Sequence, residues 1–281
     1  MTKRGNMDIN LSRYLEAAKN VALEAGCLVE SRLGIPHDIQ SKSSFDFVTE
    51  TDALSESLIR NRLIQQFPDH LFFGEEQVSQ CSEGEEYLIQ SIPLDRYVWV
   101  VDPIDGTTNF IRGIPQFAIS IALVRGWEVM VGVIYDVSLH SLYWTAKGLP
   151  SYCGEEVIHV SNVSRLEQAI IATSFPASDL EKRELVLRFL EEEGKNLLSL
   201  RIWNCATLAA AQVAAGHVDL YFEPGIHLWD FSAGMLLIQN AGGCFSDLQG
   251  NSYHKLQRHV FAAGPVLYQE VGPKLKQIFC D

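Results

Sequence analysis

The sequence has no apolar run approaching the ~20 residues that a bilayer-spanning helix needs. Residues 1–10 are polar and contain no apolar core of a secretory signal. These two absences lead us to expect a cytoplasmic chain, neither inserted in a membrane nor exported. The motifs G-x-x-x-x-G-K, G-x-G-x-x-G, H-E-x-x-H and G-x-S-x-G are missing as well. Nucleotide-dependent transfer and serine hydrolysis therefore have no support. The eight histidines are scattered, which argues against a zinc site. None of the six cysteines is paired as C-x-x-C, and a chain this long needs no disulfide staples, so reduced thiols are expected. Positive charge is scarce: 22 Lys and Arg stand against 35 Asp and Glu, a net charge of −13. Such a surface repels nucleic acid and anionic membranes, and neither is expected as a partner. The acid excess has two explanations, a solvated surface or carboxylates that converge on a cation, and only their positions can separate them.

The chain has 281 residues, 47% of them hydrophobic, enough for a large core. We expect one compact unit built as two halves, 1–150 and 151–281. Leu11, Leu15, Ala18, Ala22, Ala25 and Val29 recur at helical spacing, predicting a helix over roughly 9–33, ended by Gly34 and Pro36. Phe45, Phe47 and Val48 alternate like a strand, and a second helix is predicted from about Asp52 to Phe67. Segment 76–96 is polar and reads as a mobile connection. Val98–Val101, Phe117–Val124, Val129–Tyr135 and Leu142–Thr145 read as strands of an antiparallel sheet over the two early helices. Strand and helix then alternate through Ala169–Thr173, Ser199–Ile202, Cys205–Ala215, Val218–Phe222, Phe231–Ala241, Val260–Ala263 and Val266–Ile278. The fold class is α+β, with layers of helix and sheet.

The densest chemistry is W-V-V-D-P-I-D-G-T-T-N-F, Trp99–Phe110. A β run delivers Asp102, Pro103 stiffens the turn, and Gly106 permits an unusual backbone angle or a close ligand. Asp102 and Asp105 can face one point; together they repel unless one is protonated or a cation intervenes. Hard oxygen donors without His or Cys select magnesium, with manganese as a substitute. The amides at Gly106-Thr107-Thr108 can form a nest for phosphate oxygens. Alone, D-x-x-D-G is equally an ordinary Asx-turn. Gly74-Glu75-Glu76 is equally a solvated loop. Asp52 and Asp230 can each be no more than a helix cap.

The order of these segments adds information. D-F-V-T-E-T-D (Asp46–Asp52), G-E-E (Gly74–Glu76), W-V-V-D-P-I-D-G-T-T-N-F (Trp99–Phe110) and W-D-F-S-A-G (Trp229–Gly234) resemble the inositol monophosphatase family. That resemblance implies a layered αβαβα sandwich and usually a homodimer. It implies that Glu75, Asp102, Asp105 and the Ile104 carbonyl ligate a first metal, and that Asp102, Asp105 and Asp230 ligate a second, on the order of two or three magnesium ions per site. Asp52 and Thr107 would activate the attacking water, and the Gly106 and Thr107 amides would hold phosphate. The substrate implied is a small phosphorylated polyol, with myo-inositol 1-phosphate first and another sugar phosphate, a bisphosphate, a nucleotide or histidinol phosphate as alternatives. Glu223 matches the position that accepts hydrogen bonds from ring hydroxyls, although it is equally an exposed Glu at a strand end. Ala206 falls at the substrate rim. The chain departs from the family at Asn204–Thr207, where small residues are usual and Asn204 replaces a glycine. A non-catalytic interaction protein on this scaffold is the rival class. Retention of Asp52, Glu75, Asp102, Asp105, Thr107 and Asp230 speaks against it.

Overall fold

The computed structural model describes residues 9–35, 39–43, 46–176, 179–253 and 255–280. The expectations that fall on Pro36 and Phe45 lie outside them. The chain opens with helix α1 (Ile9–Ser31), the paired strands β1 (Ile39–Ser43) and β2 (Asp46–Thr49), and helix α2 (Glu50–Gln66). Then come β3 (Leu71–Gly74), α3 (Glu75–Ser79), α4 (Gly84–Ser91), β4 (Tyr97–Asp105) and α5 (Thr107–Arg112). A run of strands follows: β5 (Ala118–Arg125), β6 (Glu128–Asp136), β7 (Ser141–Ala146), β8 (Ser151–Cys153), β9 (Glu156–Ile158) and β10 (Ile170–Thr173). Helix α6 (Leu180–Glu193), β11 (Ser199–Ile202), α7 (Ala206–Ala214), β12 (Leu220–Pro224) and α8 (Leu228–Asn240) come next. The last elements are β13 (Cys244–Ser246), β14 (His259–Ala263) and α9 (Pro265–Cys280).

Strands β3 to β9 form a seven-stranded sheet in sequence order, antiparallel except for the parallel pair β3–β4. A five-stranded mixed sheet runs β11-β10-β12-β14-β13. Helices α1 and α2 cover one face of the larger sheet, α7 and α8 lie between the sheets, and α6 and α9 cover the outer face of the smaller one. The result is the expected αβαβα sandwich.

The residue pattern explains the layering. In β5, Ile119, Ile121 and Leu123 join the core beneath α1 and α2. Their neighbours Ala118, Ala122 and Val124 face the core beneath α7 and α8. Alternate side chains of a strand point to opposite faces, so a sheet covered on both sides needs a continuous apolar run. Trp99 and Val101 of β4 face one core, and Val98 and Val100 the other. The central layer is packed backbone to backbone. A Cβ on Gly132 of β6 would stand 2.8 Å from the Ala233 carbonyl oxygen of α8, and one on Gly234 would collide with Ala210 of α7.

Segment 76–96 is not a mobile connection. It holds the last residues of α3 and all of α4, with Val78 and Ile89 buried. These helices are five and eight residues long, too short to show a helical period in the sequence. Helix α6 and the hairpin β8–β9 are further elements beyond those expected from the sequence. No helix among the described residues is long and apolar enough to cross a membrane. Cys27, Cys81, Cys153, Cys205 and Cys244 are free thiols.

Candidate active site

Strand β4 runs from the core to Asp105, and its pairing with β5 is interrupted between Asp102 and Asp105. That irregularity breaks the alternation of side chains and lets both acids face the same cavity. Asp102 is only 2% exposed, and its Oδ1 accepts the Ile104 N–H at 3.0 Å. Gly106 then takes φ +89, the left-handed region, and starts α5. A short helix does follow the turn, so the amides of Thr107 and Thr108 in its first turn lack intrahelical acceptors.

Asp52 and Asp230 are not the caps of their helices. Each is the third residue of its helix, with Thr49 and His227 as the caps. Asp52 Oδ2 accepts the Thr49 N–H at 2.8 Å and the Thr49 hydroxyl at 2.6 Å, which leaves Oδ1 to face Thr107. The Thr107 hydroxyl lies 3.1 Å from Asp52 Oδ1 and 3.0 Å from the Ile104 carbonyl oxygen. Asp230 Oδ2 accepts the His227 N–H at 2.6 Å.

These residues meet at a cavity of about 430 Å³ lined by Glu75, Asp102, Ile104, Asp105, Gly106, Thr107, Thr108 and Asp230, with Glu85, Asn204, His227 and Trp229 at its side. An adjoining cavity of about 210 Å³ shares Asp105, Asn204 and Asp230 with it and adds Ser174, Phe175, Pro176, Ala206 and Glu223. Thus all the sequence-predicted site residues except Asp52 line one of two contiguous hollows, and Asp52 reaches the first through Thr107. A larger open groove of about 710 Å³ lies between α1 and α2, but its acids Glu16 and Glu24 are paired with Lys19 and Arg62.

The electrostatics of the cavity are one-sided. Burial, then the charges of Glu75, Asp105, Asp230 and Asp52, pushes Asp102 well above the ordinary carboxylate range. Burial also raises Asp105, against the opposing bonds from Thr207 and Cys205. It raises Asp230 strongly, partly relieved by His227. Asp52 is pushed up to about 6, chiefly by burial and against its bonds from Thr49. Among the described residues, neither a Lys nor an Arg lines the cavity. Acids crowded out of water in this way stay ionised only beside a counter-charge. The four carboxylates and the Ile104 carbonyl that meet there offer only oxygen, which fits a hard divalent cation. Among the described residues no three His, Cys, Asp or Glu side chains stand as a finished metal cluster. Asp105 Oδ2 instead accepts the Thr207 N–H at 2.6 Å and the Thr207 hydroxyl at 2.7 Å.

Three features had escaped sequence reasoning. Thr207 and Cys205 of the departing segment bind Asp105, with the Cys205 thiol 3.3 Å from Oδ2. Asn204 adopts φ +50, so its position does require a left-handed backbone, which asparagine tolerates better than most residues. Its Oδ1 accepts the Phe175 N–H at 3.2 Å, tying the two hollows together. Glu85 of α4 accepts from His227 Nδ1 and Arg258 Nη1, both at 2.7 Å, and so fastens α4 to the start of α8. Burial pushes the Glu85 carboxyl up, but those two bonds outweigh it and hold it low.

The fold and the site together define a class, a layered phosphatase scaffold with an acid-lined cavity beside a glycine–threonine turn. The chain belongs to the inositol monophosphatase family, whose pattern matches residues 10–278. It is 34% identical over 239 residues to a fructose-1,6-bisphosphatase/inositol-1-monophosphatase of Aquifex aeolicus, covering 84% of this chain and 86% of that one. It is 32% identical over 273 residues to the Nus factor SuhB of Pasteurella multocida, covering 96% and 98%. The crystal structure of the extragenic suppressor protein suhB from Bartonella henselae superposes with a TM-score of 0.84 at 28% identity, covering 94% and 99%.

Proposed function

We propose that this chain is a magnesium-dependent phosphatase that hydrolyses a small phosphorylated polyol, with myo-inositol 1-phosphate as its first substrate. The observation that carries this reading is the cavity of about 430 Å³ in which Glu75, Asp102, Asp105 and Asp230 meet, with no Lys or Arg among the described residues that line it, beside the Gly106–Thr107 turn. Glu75, Asp102, Asp105 and the Ile104 carbonyl would hold one ion, and Asp102, Asp105 and Asp230 a second. Bound magnesium supplies Lewis acidity, which lowers the pKa of a water and offsets charge on the ester oxygens.

The chain's own groups do the rest. The Gly106 and Thr107 amides bind phosphate oxygens at the start of α5. The Thr107 hydroxyl, 3.1 Å from Asp52 Oδ1, orients the attacking water and passes a proton towards that carboxylate. The alcohol takes its proton from solvent, and no side chain is needed as a phosphate acceptor. Ala206 and Glu223 form the wall that receives the alcohol. Burial pushes the Glu223 carboxyl up to about 7, against bonds from Ser174 and Tyr221, so it can accept from or donate to a hydroxyl near neutral pH.

Kinetics over a panel of phosphate esters, scored as kcat/KM with millimolar magnesium, tests the assignment. The inositol ester should lead. Highest turnover on fructose bisphosphate, in keeping with the dual name of the Aquifex relative, or on an adenosine bisphosphate would overturn the choice of substrate. A second reading, an interaction protein without catalysis, draws on relatives that carry the name Nus factor. Phosphate release from none of the esters would put that reading first.

A further inference from the structure

Helix α2 touches the site at three points on one face. Asp52 meets Thr107, the Ser55 hydroxyl donates to the Pro103 carbonyl at 3.1 Å, and Glu56 reaches α3. Positions three and four residues apart share a helix face, so Asp52, Ser55 and Glu56 form a single bracket. The contact of Glu56 is specific. Its Oε2 accepts the Glu76 N–H at 2.7 Å, and its Oε1 accepts the Gln77 N–H at 2.9 Å. Helix α3 has no capping side chain of its own, because Gly74 occupies its cap position. A carboxylate from 20 residues earlier in the chain takes that place, and only 7% of the Glu56 surface is exposed. Negative charge at a helix N-terminus is favourable both as an acceptor and against the helix dipole.

This contact also explains the glycine of Gly74-Glu75-Glu76. Gly74 has φ −108, which any residue can adopt. What excludes a side chain is space, since a Cβ there would collide with the Glu56 carboxylate. Gly74 and Glu56 are thus two halves of one fitting, and the residue between the glycine and the capped amides is Glu75.

We propose that Glu56 is a positioning residue that fixes the first turn of α3 and thereby holds the Glu75 carboxylate towards Asp102. This rests on the reading of Glu75 as a metal-holding group. Glu56 itself does not line the cavity. Removing the outer partner of a metal ligand typically weakens binding or activity about 10–100-fold.

The test titrates Mn²⁺ alone into the folded protein by calorimetry or by the electron paramagnetic resonance signal of the free ion. Glu56→Gln should bind Mn²⁺ about 10–100-fold more weakly than wild type. Gly74→Ala, with Glu56 intact, should show a loss of the same order, because its methyl group displaces the carboxylate. Raising Mn²⁺ should restore much of the turnover in both variants, which a merely structural lesion would not allow. Wild-type Mn²⁺ affinity in either folded variant overturns the role of Glu56. A wild-type chain that takes up no Mn²⁺ defeats the metal reading instead, and that is seen before any variant is made. Should both variants fail to fold, hydrogen exchange on the wild type decides: the Glu76 and Gln77 amides should be strongly protected, and free exchange at both overturns the proposal.

Discussion

Replacing Gly106 by alanine tests the turn that the phosphate reading depends on, and Gly113 supplies a control at the other end of the same helix. Both glycines have positive φ, +89 and +67. Placing an L residue there costs about 1–2 kcal/mol at either position. The surroundings differ. A Cβ on Gly113 meets nothing within 4 Å, whereas one on Gly106 would stand 2.7 Å from the Gln116 carbonyl oxygen. Relief of that contact needs a displacement of roughly half an ångström or more at the start of α5, where Thr107 and the phosphate amides sit. A misplacement of about 1 Å at a reacting centre can lower a rate about 100-fold. We expect Gly113→Ala to lose about 1–2 kcal/mol in urea unfolding and to keep its kcat. Gly106→Ala should lose about 1–3 kcal/mol and about 10–100-fold in kcat. Wild-type kcat in Gly106→Ala, or equal loss of kcat in both variants, would refute the argument that this turn grips the phosphate.

Asp105→Asn should lower turnover by orders of magnitude while circular dichroism and melting stay near wild type; activity close to wild type would contradict its assignment to both ions. EDTA should inactivate the enzyme, and added magnesium should restore it, as followed by phosphate release. Stability should also depend on His70, which packs within 4.9–5.1 Å of the rings of Tyr14, Phe67 and Tyr97. Burial lowers its pKa from 6.5 to about 4, so the folded chain resists a proton that the unfolded chain accepts. That stability is fully present above pH 6.5 and is lost as pH falls through 4, by about 1–2 kcal/mol once solvent screening is allowed for. His70→Phe should flatten that part of the profile of urea midpoint against pH; an unchanged slope would remove His70 as its cause.

Much of the architecture was legible because long elements repeat their pattern. Helix α1 spans 23 residues, and Leu15, Ala18, Ala22, Ala25 and Val29 of its apolar face are all buried. Strands β4 to β7 of the large sheet were visible as apolar runs between turns. The acids were legible too, from their order along the chain, and Ala206 and Glu223 fall on the adjoining wall. The fastening of α4 was hidden, since Glu85 finds His227 and Arg258 at separations of 142 and 173 residues. Asp105 likewise binds Thr207 from 102 residues away. Partnerships of that kind leave no periodic trace. Glu56 was within reach, because its spacing from Asp52 already set both on one helix face.

The thin seam between α8 and its neighbours bears on genetics. Gly132 and Gly234 sit where even one methyl group would wedge that helix aside, and the helix begins with the residues around Asp230. Random mutagenesis scored only by lost activity should therefore return substitutions at these two glycines alongside the acids. Such alleles would look like damage to the chemistry, although the lesion lies deep in the interior and touches no reacting atom.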